Sequence, residues 1–194
     1  MNTGMVVGLV FLALLVVLVI YAVGLYNNLV NLKHAVAKSF ANIDVLLKQR
    51  HDELPKLVET CKQYMSHERE TLTQVIEARS QVAKAQTSGD IGALGQAEST
   101  LRVGLGNLFA LAENYPDLKA DESFKHLQQR ISDLERSIAD RREFYNESVN
   151  INNVRIEQFP DLIIARFFQF GSHELLEFSE NEKADVDIKN LFKG

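Results

Sequence analysis

The hydrophobic pattern begins with an unbroken apolar run, Met5–Val23, that contains no charged side chain. As a helix rising about 1.5 Å per residue, this run matches the roughly 30 Å hydrocarbon core of a bilayer. It therefore predicts one transmembrane helix, with residues 1–24 as a membrane anchor. The residues taken to mark the span are Met5, Phe11, Leu15, Ile20 and Val23.

A cleavable signal peptide is the alternative, because Ala22-Val23-Gly24 has the small residues of a cleavage site. Signal peptides carry a basic N-terminal region and an apolar region of about 7–15 residues. Here the first basic residue is Lys33 and the apolar run is longer, which favours an uncleaved anchor. Because Lys33 and Lys38 follow the run, the positive-inside rule predicts an N-terminus outside and the remainder in the cytoplasm.

Beyond the span, apolar positions recur at the three- and four-residue steps of amphipathic helices. They predict four helices, over 3–50, 52–86, 91–112 and 121–158. The first of these continues the span without a break. Because the turns are short, we expect an all-α fold in which the N-terminal transmembrane helix is continuous with an up-and-down antiparallel four-helix bundle over 25–158.

Proline and glycine set the expected turns. The segment Arg50–Pro55 predicts a tight reversal with Pro55 in the first turn of the second helix, and a proline kink inside one longer helix is the alternative. Asp90 is the expected N-cap of the third helix. Four glycines in that helix indicate either close approach of another helix or local mobility; they are Gly92, Gly95, Gly104 and Gly106.

Two segments follow the bundle: a phenylalanine-rich amphipathic segment at 159–171 and an acidic tail at 172–194 that we expect to be flexible. The first is either a short closing helix packed on the bundle, or an interfacial membrane helix or oligomer contact. Its candidate contact residues are Phe159, Leu162, Ile163, Phe167, Phe168 and Phe170.

The antiparallel order returns the end of the fourth helix to the membrane surface. We therefore expect Asn150–Asn153 to lie near Asn27–Asn31, in a polar contact just below the bilayer. Tyr26, Asn27 and Asn28 are the expected residues of this surface on the first helix, since tyrosine is enriched at membrane interfaces.

The net charge of −5, without a basic stripe, argues against nucleic-acid binding. The single cysteine, Cys61, is interpreted as a small buried apolar residue. Asp44 is expected to pair with Lys48 four residues on, and Arg141 and Arg142 to pair with acids across the bundle. Because HExxH and di-iron motifs, a catalytic triad and a phosphate loop are absent from the sequence, we expect no catalytic residue, metal or cofactor.

Several stretches resemble the LemA family. They are the run ANIDVLLKQRHD at 41–52, YPDLK at 115–119, RR-x-x-YN at 141–146 and the phenylalanine-rich 159–171. The resemblance covers nearly the whole chain. It implies a bacterial inner-membrane protein with one N-terminal span, a cytoplasmic four-helix bundle and no established enzymatic activity. The resemblance also gives two hints of partnership. One relative in the family is associated with magnetosome membranes, and family genes often lie near the gene of a membrane zinc metalloprotease.

Two functions fit these observations. The first is a non-enzymatic single-pass membrane protein whose bundle contacts the lipid bilayer and self-associates as a membrane-organising or membrane-shaping scaffold. The second is an adaptor that binds a membrane protein partner, such as a protease or signalling complex, through its bundle or acidic tail. An enzyme is the least favoured interpretation, because no catalytic constellation is present.

Overall fold

The computed structural model describes residues 3–177, and over this range the chain is all-helical. The elements are α1 (Thr3–Tyr64), α2 (Arg69–Ser88), α3 (Ile91–Ala112), α4 (Pro116–Ala120), α5 (Glu122–Glu157) and α6 (Asp161–Phe167). The all-α class and the long apolar N-terminal helix are confirmed.

The first helix is longer than expected. Helix α1 runs for 62 residues and continues through Pro55 to Tyr64. The predicted reversal at 50–55 is wrong. Proline has no N–H, so the carbonyl of His51, four residues earlier, loses its helical donor. Arg79 Nε donates to that carbonyl at 3.0 Å, which supplies the missing hydrogen bond and lets the helix continue.

The first reversal lies instead at Met65–Glu68, which contains neither glycine nor proline. Here Glu68 N donates to Met65 O at 3.1 Å and closes a turn. Tyr115 Oη also donates to the Glu68 carboxylate at 2.9 Å. The predicted second helix over 52–86 is therefore two pieces, the end of α1 and α2.

The remaining boundaries agree with the sequence pattern to within a residue or two. Gly89 is the C-cap of α2 with φ 70°, a left-handed conformation that glycine adopts without strain. Asp90 accepts from Ala93 N at 2.8 Å as the N-cap of α3. The short helix α4 was not predicted; Pro116 begins it, at a position where proline is well tolerated.

The described residues form two compact units. The first contains the residues up to Phe40 and Phe144–His173, and the second contains Ala41–Glu143 and the described residues from Glu174. The helices α1 and α5 each contribute a segment to both units.

The core of the second unit contains buried apolar residues from four helical segments. Examples from α1, α2, α3 and α5 are Leu47, Val75, Leu101 and Ile131, each at most 1% exposed. Helices α2 and α3 pack against each other. This unit also contains a buried ionic group, in which Arg50 pairs with Glu98 and Glu135.

The beginning of the expected flexible tail is packed. Leu176 is 2% exposed, and the backbone of Glu177 lies where a Cβ on Gly95 would be. One of the four glycines in α3, Gly95, is therefore explained by close approach, although of the non-helical segment after α6 rather than of a helix. Residues 178–194 of the tail lie outside the described residues.

Candidate membrane-proximal aromatic site

The apolar part of α1 provides a reference level for the site. One helix of the described chain, α1, is long and apolar enough to cross a membrane, and its most apolar stretch has no buried residue. The side chains of Met5, Phe11, Leu15, Ile20 and Val23 are all exposed. By its length and composition, this part of α1 is a candidate membrane span. The position of each later residue of α1 can be counted from Val23.

In the first unit, α1 and α5 run antiparallel, as three contacts along them demonstrate. The rings of Phe40 and Tyr145 lie 5.6 Å apart, and the hydroxyls of Ser39 and Ser148 lie 2.9 Å apart. Nearer to Val23, Leu29 clusters with Ile156. As α1 is followed back toward the apolar run, α5 is followed toward its C-terminus, so α5 ends beside the start of the polar part of α1.

Helix α6 is seated on this end of the unit. Ala165, 2% exposed, joins Leu29 and Ile156 in a small core, and Ile164 and Phe170 pack against it. Leu29 is fully buried, although it lies only six residues beyond Val23. The phenylalanine-rich segment is thus fixed to α1 within about 10 Å of the apolar run along the helix axis.

An aromatic cluster lies still closer to the apolar run. We define it as Tyr26, Phe167, Phe168 and Phe170. The Tyr26 ring is 4.7 Å from Phe168 and 5.7 Å from Phe170, and Phe167 is 5.0 Å from Phe168, at tilted or edge-on angles. Such arrangements are favoured for aromatic pairs. The structure therefore brings four of the predicted contact residues together.

Asparagines of α5 hold the segment after α6 through its backbone. Asn153 Nδ2 donates to His173 O and Asn153 Oδ1 accepts from His173 N, both at 2.9 Å. Asn152, 1% exposed, donates to Gly171 O at 3.3 Å. The expected asparagine-lined contact between the first and last helices is wrong in its chemistry. Asn27 and Asn28 are exposed, and α1 meets α5 there through Leu29 and Ile156.

The acidic residue of α6 is buried. Asp161 is 2% exposed, and its Oδ1 accepts from Arg155 Nε at 2.9 Å. This pair was not predicted from the sequence, although the spacing of Arg155 and Asp161 across a chain reversal was a signal for it. As a result, Arg166 is the only charged side chain that α6 exposes.

Large apolar side chains remain on the outside of the segment. Phe159 and Phe167 are 77% and 79% exposed, and Ile163 and Phe168 are 55% and 50% exposed. Leu162 and Phe170 are half-buried. Exposed apolar groups in such density are typical of a contact surface.

The candidate residues of the second unit are buried or hydrogen-bonded within it. Cys61 is fully buried, and burial raises the pKa of its thiol to about 12, so the thiolate that reacts as a nucleophile is not formed near neutral pH. Asp44, expected to pair with Lys48, accepts from Gln86 Nε2 at 2.5 Å. Within residues 3–177, no group of three or more His, Cys, Asp or Glu side chains is placed to hold a metal ion.

A buried arginine that the sequence analysis did not single out is Arg50, which is 1% exposed. The pairing expected for Arg141 and Arg142 stays a prediction, and the charge of Arg142 acts on Glu98. Burial alone would lower the pKa of Arg50, but the charges of Glu98 and Glu135 overcome this effect and raise it. Burial raises the pKa of Glu98, against the charge of Arg50. The helical step from Leu47 through Arg50 to Leu54 could have placed Arg50 on the buried face.

Together, the exposed apolar helix and the helical units define an all-helical protein with a membrane location. The LemA family model matches residues 39–190, and the chain belongs to the LemA family. It is 24% identical over 186 residues to Magnetosome protein MamQ 1 of Paramagnetospirillum magneticum and to Magnetosome protein MamQ of Magnetospirillum gryphiswaldense, covering 84% of this chain and 68% of each relative. It is 26% identical over 169 residues to Protein LemA of Metamycoplasma hominis, covering 87% and 76%.

Proposed function

We propose that this protein is a non-enzymatic, single-pass protein of the bacterial inner membrane whose cytoplasmic helices self-associate as a membrane-organising or membrane-shaping scaffold. The observation that carries the proposal is the uninterrupted helix α1. Its exposed apolar part is long enough to span the bilayer, and its later part supplies buried residues to the helical units. In this proposal, the segment of α1 from Ala41 forms an up-and-down four-helix bundle with α2, α3 and α5.

The charges support an N-terminus outside and helical units in the cytoplasm. Lys33 and Lys38 are exposed on α1 shortly after the apolar run, and Arg166 is exposed on α6 near the same level. No basic residue precedes the run. Positive charges next to a span are retained on the cytoplasmic side.

Self-association is supported by an exposed face of α3. Val103 is 64% exposed, a Cβ added to Gly106 would meet no other atom within 4 Å, and Ala110 is exposed. These residues are three and four positions apart and therefore share one face of the helix. Small and apolar residues on one face allow a second helix to approach closely. The names of the relatives fit the proposal, since proteins of the magnetosome are among them.

Cysteine cross-linking in native membranes tests the scaffold. Val103→Cys places a thiol on the proposed face, and the buried Cys61 does not compete. We expect oxidation to give cross-linked multimers for Val103→Cys. The control, Lys84→Cys, places an exposed thiol on α2 and is expected to remain monomeric. Monomeric Val103→Cys at the cellular expression level would contradict self-association through α3.

The adaptor function is the second candidate, and the acidic residues after Glu177 motivate it. Deleting residues 178–194 separates the two, because this deletion leaves the buried Leu176 in place. Assembly survives the deletion if the protein is a scaffold. If it is an adaptor that uses the tail, a membrane protease or signalling complex that copurifies with the full chain is lost.

A further inference from the structure

We propose that the exposed apolar face of α6, formed by Ile163 and Phe167 with the adjacent Phe168, inserts into the same membrane leaflet that α1 leaves at Val23. This second lipid contact rests on the proposed span of α1. It reconciles two of the interpretations of the phenylalanine-rich segment, the closing helix and the interfacial membrane contact, and sets aside the oligomer contact. Both apply, to different faces of one helix.

Tyr26 sets the depth of the segment. It lies three residues beyond Val23, or about 4.5 Å along the helix axis. The interfacial layer on each side of the hydrocarbon core is roughly 5–8 Å thick. Tyr26 would therefore lie within this layer, and the ring of Phe168, 4.7 Å from that of Tyr26, is held within that distance of its level.

The segment has two faces with different surroundings. Ala165 and Ile164 face Leu29 and Ile156, which anchors the segment on α1. Ile163, Phe167 and Phe168 are 50–79% exposed in spite of their size. Residues 163 and 167 are four apart and lie on one face of α6. In the proposal, this face of α6 lies at the depth of the membrane interface, where it would contact lipid.

The charges of the segment also favour lipid. A carboxylate on this face would be repelled by anionic lipid headgroups, but Asp161 is buried and paired with Arg155. The exposed charge of α6 is Arg166, whose long side chain can reach lipid phosphates while its aliphatic part remains near the apolar region. The surface thus combines exposed aromatic rings with one cation, which is fewer than interfacial helices commonly carry, so the apolar contact would supply most of the affinity for lipid.

Tryptophan fluorescence tests this contact, because the chain contains no natural tryptophan. Each variant, Phe167→Trp or Phe168→Trp, would be reconstituted as the full chain into vesicles of phosphatidylcholine and phosphatidylglycerol. Lipids brominated near the top of the acyl chain quench only nearby tryptophans. We expect emission of both variants to be quenched several-fold more than that of the control Phe144→Trp.

The control, Phe144→Trp, changes the same type of residue in the same compact unit as Phe167 and Phe168. Phe144 is 60% exposed, but its neighbour Tyr145 contacts Phe40, which is about 25 Å beyond Val23 along α1. A second control, Phe11→Trp, lies within the span and should be quenched most by lipids brominated deeper in the chain. It reports separately on the span itself.

Each outcome is decisive. If Phe11→Trp is quenched and Phe167→Trp is quenched no more than Phe144→Trp, the second contact is overturned and the span stands. If Phe167→Trp shifts to shorter wavelength without quenching by bromine, the face is covered by protein, and the lipid contact is overturned. Absence of quenching for Phe11→Trp overturns the span together with the inference.

Discussion

At the residue scale, Arg79 explains how α1 passes through Pro55. Its Nε binds the His51 carbonyl that proline leaves without a donor, and its Nη2 donates to His51 Nε2 at 2.6 Å. Because an arginine has no acceptor, this second contact requires an unprotonated Nε2. One side chain from α2 therefore repairs the helix and fixes the tautomer of His51.

A double-mutant cycle tests the repair. Arg79→Met leaves the carbonyl unpaired and is expected to lower the free energy of unfolding by about 1–3 kcal/mol. In a Pro55→Ala background, residue 55 regains the N–H that bonds to this carbonyl, so the same substitution should cost about 1 kcal/mol less. Thermal unfolding of the full chain in detergent, followed by circular dichroism, measures both.

The control for this cycle is Lys84→Met, which removes an exposed cation from the same helix. Its effect is expected to be within about 0.5 kcal/mol in either background. An Arg79→Met cost that is the same with proline and with alanine at position 55 would contradict the assigned role.

The same site predicts a pH dependence of stability. Burial, followed by the charge of Arg79, lowers the pKa of His51 below its ordinary value of 6.5; the charge of Arg50 acts in the same direction and that of Asp52 opposes it. The unfolded chain then binds the proton more readily than the folded chain, so stability is present above pH 6.5 and is lost as the pH falls below it.

His51→Gln should flatten this part of the stability profile, since glutamine does not titrate. Melting temperatures of both proteins between pH 8 and pH 5 measure the difference, and His67→Gln, which changes an exposed histidine, should retain the wild-type slope. If His51→Gln and wild type lost stability in parallel, protonation of His51 would not be the cause.

At the element scale, periodicity predicted the helices well and their ends less well. The seam of α5 from Phe124 to Ile138 is buried throughout, and α3 has its predicted bounds. The turn at 65–68 was not visible because no residue there restricts the backbone. The course of the chain through Pro55 was not visible because it depends on Arg79, which is distant in sequence.

The aromatic site, too, was predictable only in part, because local patterns identify a segment but not its tertiary contacts. Composition identified the phenylalanine-rich segment, and the antiparallel order suggested where it returns. The sequence could not specify that Leu29 rather than the asparagines would make the contact, or that Asp161 would be withdrawn by Arg155. These are tertiary contacts between residues that local patterns treat independently.

The close approach of Glu177 to Gly95 leads to a prediction about how residues 174–177 are held against α3. A Cβ at this position would collide with the Glu177 carbonyl oxygen, so Gly95→Ala should displace residues 174–177. We expect faster cleavage after Glu174 by a glutamate-specific protease, read by mass spectrometry. Gly106→Ala on the same helix has open space and should leave cleavage unchanged while stabilising α3 by up to about 1 kcal/mol.

Equal cleavage of the two alanine variants would mean that residues 174–177 are not held by their approach to Gly95. In that event, burial of Leu176 would be the next contact to test for the ordered start of the tail. Leu176→Ala should then accelerate cleavage where Gly95→Ala does not.

At the scale of the whole molecule, the central claim is that the chain is a membrane-tethered scaffold. In this proposal, one helix provides the span and also contributes to both helical units, and the phenylalanine-rich segment reaches the membrane interface. Under the proposal, the remaining exposed helical faces would contact other copies of the chain in the membrane.

Electron microscopy of the full-length protein reconstituted in lipid vesicles tests this claim most directly. We predict multi-copy assemblies, such as rings or lattices, on the vesicle surface, with the Val103 face of α3 between copies. Isolated single chains at every ratio of protein to lipid would contradict it.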